Sequence, residues 1–203
     1  MAWHAKATGA YLNTDQEAKD NAVAIYNTLH GMGYSYNAIC AVLGNIGWES
    51  GYNPWRWQSD YVVSTTETNF INNQTGHAYG LMQFDPAGQY INNATAQTYA
   101  DYLPNFANRT GIPEDGNAQL MYMNYLSGGY IRTAQYPLTF AEFKASNLPV
   151  DYLTRAWCMN YERGFWNQAR EDNALYWETE LQNLIMDIPV WLLFKFQRFL
   201  GGG

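Results

Sequence analysis

The chain's clearest candidate for chemistry is Glu49. A helix opened by Ser35 over SYNAICAVLGNIGWESG places Ile39, Val42, Leu43 and Ile46 at i, i+3, i+4 and i+7, one apolar stripe. Glu49 follows Ile46 by three positions, at the edge of that stripe, and Gly51 supplies a stop just beyond it. Desolvation penalises the charged form of a carboxyl held against an apolar wall, so this group is expected to keep its proton near neutral pH. A protonated carboxylic acid is what glycosidic bond cleavage requires on the leaving-group side. A lone Glu at a helix end can equally bend out to water, so the surrounding chain has to decide.

Composition narrows the classes. With 203 residues the chain is one domain of ordinary size, long enough to bury a core. Charged residues make up only 14% while aromatics reach 17%, including 17 Tyr and 8 Trp, a surplus suited to stacking on sugar faces as well as to core packing. The net charge of −7 argues against nucleic acid, whose binding depends on neutralising phosphates. Cys40 and Cys158 fall in separate apolar helical segments and read as free, buried thiols. The N-terminal MAWHAKATGAYLNTDQ lacks the apolar run of a signal peptide. IPVWLLFKFQRFL, near the end, is too short to span a bilayer and is broken by Lys195 and Arg198.

The elements that must position Glu49 are mostly helical. Residues 1–13 read as an irregular leader. Thr14 and Glu17 form a capping-box pattern, and Ala22, Ile25, Tyr26 and Leu29 then repeat at helical spacing until His30-Gly31-Met32-Gly33. The Glu49 helix follows after a very short turn. Residues 52–80, with Pro54, Trp55-Arg56-Trp57, the β-branched run Val62 to Thr66 and an Asn-rich segment, read as loops with a small hairpin. Asp85-Pro86 predicts an N-cap and first helical residue for a helix through about Tyr102. Another helix starts at Gly111-Ile112-Pro113 and carries Leu120, Met123 and Leu126. Thr139 and Glu142 form a second capping box. A helix from about Val150 to Arg163 presents Leu153, Ala156 and Trp157, and a last one from near Asn167 buries Trp177, Leu181, Leu184 and Ile185. The fold class expected is α+β, mostly α: a helical lobe and a small β-hairpin insertion with a groove between them.

GNIGWESGYNP, followed about thirty residues later by HAYGLMQFDP, resembles the ES…GLMQ signature shared by goose-type lysozymes and lytic transglycosylases. AICAVLGN, the Asn-Pro of YNP, Trp57-Gln58, DPAGQYINNA and MNYERGFWNQAREDNALYW resemble more closely the phage tail lysozyme family, the wall-degrading tail-tip proteins of small podophages. The likeness runs from about Thr14 to Leu184. It implies a lysozyme-like fold and a muramidase that cleaves the β-1,4 bond between N-acetylmuramic acid and N-acetylglucosamine in bacterial peptidoglycan. It puts the catalytic acid on Glu49, one groove wall on Gly80, Leu81, Met82 and Gln83, and the floor on Tyr161 with Glu162. It also implies a virion tail location with phage tail proteins as partners, or alternatively an endolysin. The expected organisation is a leader at 1–13, a lysozyme-like domain at 14–185, and a linker or start of a second module at 186–203.

The second catalytic group stays open at this level. A retaining enzyme needs a carboxylate about 5 Å across the groove, and an inverting one roughly 6.5–9.5 Å away with a water between. Asp60, in the β insertion, lies at a chain distance from Glu49 that lysozymes often use, and is the first candidate. Glu67, Asp85 and Glu162 are the others. Asp60 also reads as a solvated loop charge, Asp85 as the N-cap of Pro86, and Glu162 as a partner of Arg163 or Arg132. The acetamido group of the substrate could serve instead, as in lytic transglycosylases. Gln83, Tyr79, Tyr161 and Glu162 are candidate sugar contacts, and Trp55 and Trp57 candidate stacking platforms.

Rival classes are weaker. A Cys/His peptidase would use Cys40 with His77, but Cys40 sits in an apolar helix without an activating motif. His4, His30 and His77 show no metal-ligand spacing, and neither metal nor cofactor is implied. A non-catalytic glycan-binding tail module remains the alternative of a different class.

Overall fold

The structure, a computed structural model, describes residues 3–6, 9–60, 77–88, 90, 115–125 and 129–186. Its helices are α1 (Gln16–Gly31), α2 (Tyr36–Ser50), α3 (Asp115–Tyr125), α4 (Phe140–Ala145), α5 (Val150–Trp157) and α6 (Gln168–Met186). A π-helical turn, Cys158–Glu162, extends α5.

Helix α2 is the axis of the fold. Ser35 caps it, its side chain accepting from Ala38 N at 3.2 Å, and Gly51 ends it in the left-handed region at φ 57°. Ile39, Val42, Leu43 and Ile46 are fully buried as the periodicity predicts, but so are Ala38, Cys40, Ala41, Gly44 and Asn45. The helix is therefore enclosed nearly all round rather than along one stripe, as a central helix must be. It packs most extensively against α6, then α5.

Glycines make the α2–α6 crossing close. A Cβ on Gly44 would sit 2.5 Å from Ala174 Cβ, and one on Gly47 would sit 2.8 Å from Asn173 Nδ2. Apolar burial does the rest: Ala174, Trp177 and Leu181 of α6 are at most 1% exposed. Leu184, expected in that face, is 38% exposed.

Two predicted helix starts differ. Helix α1 begins at Gln16 with Asp15 at its N-cap and no side-chain cap bond, so Thr14 and Glu17 do not form the expected box. Asp15 Oδ2 instead accepts from Leu12 N at 3.0 Å. Asp85 and Pro86 lie in a bend joined by a cis peptide, and helical backbone begins only at Gly88, so Asp85 is not the N-cap of a Pro86-led helix. The Thr139–Glu142 box is present in full at the start of α4.

Among the described residues there are no strands, only antiparallel bridges Trp57–Tyr79 and Tyr79–Phe84. The Val62–Thr66 run, the Asn-rich segment before His77, Glu67, most of the predicted helix to Tyr102, and the C-terminal apolar run lie outside the described residues. What is described of the insertion is stapled to the helices by Gln119 of α3, fully buried. Its Oε1 accepts from Leu81 N at 2.6 Å and its Nε2 donates to Pro54 O at 2.7 Å. Gly80, at φ 86°, permits this approach, because a Cβ there would meet the Gln119 side chain.

Candidate active site

Helix α2 delivers Glu49 one residue before its end, where the side chain is 19% exposed. The carboxylate is not held by apolar groups alone. Arg170, from the first turn of α6, donates from Nη2 to Glu49 Oε1 and from Nη1 to Asn45 Oδ1 at 2.8 Å. Asn45 is itself fixed, its amide donating to Ala41 O at 2.9 Å and to Thr154 O at 3.2 Å. The Arg170 side chain is 2% exposed, so a full positive charge is enclosed beside Glu49. The sequence reading missed this residue, although it carries a signal. Arg170, Ala174, Trp177 and Leu181 share one helical stripe, and a charge within an apolar stripe calls for a buried partner.

Two clefts open beside these groups and meet at Gln83 and Asp85. One, of about 550 Å³, is lined by Trp48, Glu49, Arg56, Gln58, Ser59, Ala78, Gln83 and Asp85. The other, of about 160 Å³, is lined by Met82, Gln83, Phe84, Asp85, Gly129, Tyr161, Glu162 and Arg163. Gln83 is held at the junction in a left-handed conformation, φ 47°, and its Nε2 donates to Arg56 O at 3.1 Å and Gly80 O at 2.9 Å. Its amide nitrogen is thus committed to the wall it builds.

Glu162 comes to the second cleft at the end of the π-helical turn, and Arg163 follows it in the left-handed region at φ 51°. Its Oε1 accepts from Trp157 Nε1 at 3.2 Å, and Trp157 stacks on Tyr161 with ring centroids 4.3 Å apart. Burial first, and the charge of Glu49 second, push the Glu162 carboxyl up to about 8, against the opposing pull of Arg170 and of the Trp157 bond. The expected pairing of Glu162 with Arg163 or Arg132 is replaced by this contact with Trp157 and by electrostatic proximity to Arg170.

The remaining sequence candidates divide sharply. Glu49, Gln83, Tyr161 and Glu162 border the clefts, and Asp85 joins them. Asp60 lines neither cleft: its Oδ1 accepts from Gly9 N at 2.8 Å and lies 3.4 Å from Arg56 Nη2. Trp57 and Tyr79 are core residues, 1% and 0% exposed, with ring centroids 4.7 Å apart. Trp55 is buried as well. The exposed ring at the site is Trp48, 47% exposed beside Glu49, a position that ring type alone does not distinguish from the buried Trp55 and Trp57.

Cys40 is fully buried and desolvation pushes its thiol up to about 12, which removes it as a nucleophile. Both cysteines are free. Among the described residues no group of three or more His, Cys, Asp or Glu side chains could hold a metal ion, and no helix is long and apolar enough to cross a membrane.

Comparison with known proteins places these features in a wider set. A family described as phage tail lysozyme matches residues 20–181. The chain is 30% identical over 155 residues to Morphogenesis protein 1 of Bacillus phage B103. That alignment takes in 76% of this chain and 36% of the relative, so the chain spans about a third of that protein.

Proposed function

Because this chain belongs to the phage tail lysozyme family, we propose that it is a muramidase, cleaving the β-1,4 bond between N-acetylmuramic acid and N-acetylglucosamine in peptidoglycan. The observation that carries the reading is Glu49 on the wall of a polar cleft of about 550 Å³ whose edge is extended by a second cleft. A glycan strand is long, uncharged along its sugar backbone and rich in hydroxyls, and a groove of amides, carboxyls and aromatic rings suits it.

In this reading Glu49 donates a proton to the glycosidic oxygen as the C–O bond breaks, and the bonding pair leaves with that oxygen. Electrostatic support for the positive charge developing on the sugar comes from the Asp85 carboxyl group, which borders both clefts. Asp60, the first sequence candidate for the second group, would have to release Gly9 and Arg56 to reach the substrate. Gln83, Tyr161 and Glu162 contact sugar, and Trp48 offers a ring face next to the scissile bond. The chain acts within a phage particle, at the tail, against the bacterial wall.

Purified peptidoglycan incubated with the protein, followed by mass spectrometry of the released muropeptides, tests this. Release of N-acetylmuramic acid reducing ends by the wild type, and none by Glu49→Gln, is the expected result. A 1,6-anhydro product would make it a lytic transglycosylase, and binding without cleavage a glycan-binding module. Full activity in Glu49→Gln would remove the acid from that residue.

A further inference from the structure

Among the described residues that line the larger cleft, Arg56 is the single cation, beside Glu49 and Asp85. Its backbone is built into the wall. Arg56 N donates to Asn53 O at 3.1 Å, and Arg56 O accepts from Gly80 N at 2.8 Å and from Gln83 Nε2 at 3.1 Å. The side chain is far less committed. Nη2 lies 3.4 Å from Asp60 Oδ1, an ion pair without a hydrogen bond, while that oxygen accepts from Gly9 N at 2.8 Å. No described residue accepts a hydrogen bond from the Arg56 guanidinium, which carries five N–H donors. Arg170 and Arg155, by contrast, are engaged, the first by Asn45 and Glu49 and the second by Glu171.

We propose that Arg56 is a specificity-determining residue that binds a carboxylate of the peptide stem carried by the muramyl sugar. This deepens the muramidase reading and rests on it for the polymer involved. Sugar hydroxyls need no full charge, since amides and carboxyls such as Gln83 and Asp85 can bond them. A guanidinium with open donors fits an oxyanion, which it can engage through two parallel N–H···O bonds. The sugar backbone of the strand supplies no anion, whereas each muramyl sugar bears, through its lactyl ether, a peptide with free carboxylates. That stem springs from the sugar whose bond Glu49 would cleave, and Arg56 shares a cleft with Glu49.

The charge around the cleft makes this cation matter. The chain carries a net charge of −7 and brings two carboxyls to the cleft, so an anionic polymer is repelled except where a cation intervenes. Asp60 holds that cation in readiness. It stands four positions after Arg56, and the chain turns there through two consecutive left-handed residues, Ser59 at φ 53° and Asp60 at φ 57°. Asp60 is 47% exposed, and its pair with Arg56, lacking a hydrogen bond, is a weak hold. An incoming carboxylate that takes two bonds displaces it, while Asp60 keeps its own bond to Gly9 N. Were Arg56 only balancing Glu49 and Asp85, its loss would act on every glycan alike, so the substrate separates the two cases.

Wall sacculi freed of phosphodiester polymers with hydrofluoric acid are divided, and half are treated with carbodiimide and ammonium, which turns stem carboxylates into carboxamides. The glycan strand is untouched. Wild type should show an apparent KM about two- to fivefold lower on the carboxylate form, the effect of a partly exposed charge pair. That gap should shrink as salt rises from about 50 mM to about 500 mM. Arg56→Gln should raise KM on the carboxylate form to the amidated value and leave the amidated value in place. Asp60→Asn keeps an oxygen for Gly9 N and removes the competing charge, so its gap should widen. Equal wild-type KM on the two forms would overturn the proposal, as would an Arg56→Gln variant weakened on both alike. A gap present only before the hydrofluoric acid step would assign Arg56 to a phosphate and overturn it too. If Arg56→Gln does not fold, the wild-type gap and its widening in Asp60→Asn decide. Sedimentation of the protein with each form reads the same preference without turnover. A chain that cleaves neither form, yet binds the carboxylate one better through Arg56, would sink the muramidase reading and leave the proposal standing.

Discussion

Arg170 donates to Glu49 across the crossing of α2 and α6, joining residues 121 positions apart in the chain. Neither residue is placed by its own helix alone. Glu49 depends on the end of α2, fixed by Gly51, and Arg170 depends on how closely α6 can lie against Gly44. The site is therefore a property of a helix pair.

That dependence predicts the effect of Gly44→Ala. The added methyl would sit 2.5 Å from Ala174 Cβ and 3.0 Å from Ala174 Cα, backbone-anchored atoms that cannot swing aside. Separating the helices should cost about 1–3 kcal/mol, the usual penalty of overpacking. Activity should fall further than stability at a temperature where the variant is still folded, because Arg170 moves with α6. Denaturant unfolding and turnover on peptidoglycan, measured side by side, check both halves.

Glu162 predicts how stability depends on pH. An unfolded chain releases this proton near 4.5 and the folded chain holds it to about 8. Between those values the folded state binds more protons than the unfolded one, so stability falls as pH rises through the window. Below it the two states bind equally and the contribution is flat. Glu162→Gln has no proton to lose, and its melting temperature should decline less than that of wild type from about pH 4.5 to about pH 8. Thermal melts across that range give the slope, and parallel slopes would show that Glu162 titrates normally.

Gln119 predicts a loss that is structural first and catalytic second. Its amide satisfies Leu81 N and Pro54 O in a fully buried place. Gln119→Ala leaves both backbone groups unpaired, at about 1–3 kcal/mol each. The Gly80–Gln83 wall loses its staple with them, so turnover should drop along with the melting temperature. Calorimetry and the peptidoglycan assay test it together.

What could be read from the sequence was what is decided locally. Ser35 and Gly51 bound α2 correctly because capping depends on a residue and its own backbone. Thr139 and Glu142 were legible for the same reason. The Thr14–Glu17 box failed because Asp15, one residue on, takes the N-cap position. Asp85-Pro86 looked like a helix start, but the chain there is bent into the wall shared by both clefts. Trp57 looked like a stacking platform and Tyr79 like a sugar contact because ring type says nothing of facing, and their mutual packing takes them inside. Arg170 was legible only as a charge within an apolar stripe, because its partner is set by a contact made when α6 closes on α2.

Trp48 carries the last prediction. It precedes Glu49 in the final turn of α2, is 47% exposed, and lines the larger cleft, whereas Trp55 and Trp57 are buried. A ring exposed to this extent, next to Glu49, is not part of the buried core. Stacked on a sugar it would contribute about 0.5–1.5 kcal/mol beyond plain burial, which corresponds to a two- to tenfold change in affinity. Trp48→Ala should therefore raise KM by that factor while leaving the melting temperature nearly unchanged. Trp48→Phe, which keeps a flat face, should recover most of the loss, and Trp48→Leu, similar in apolarity but not flat, should recover little. Equal KM values for Leu and Phe would mean that the ring supplies area rather than a stacking face.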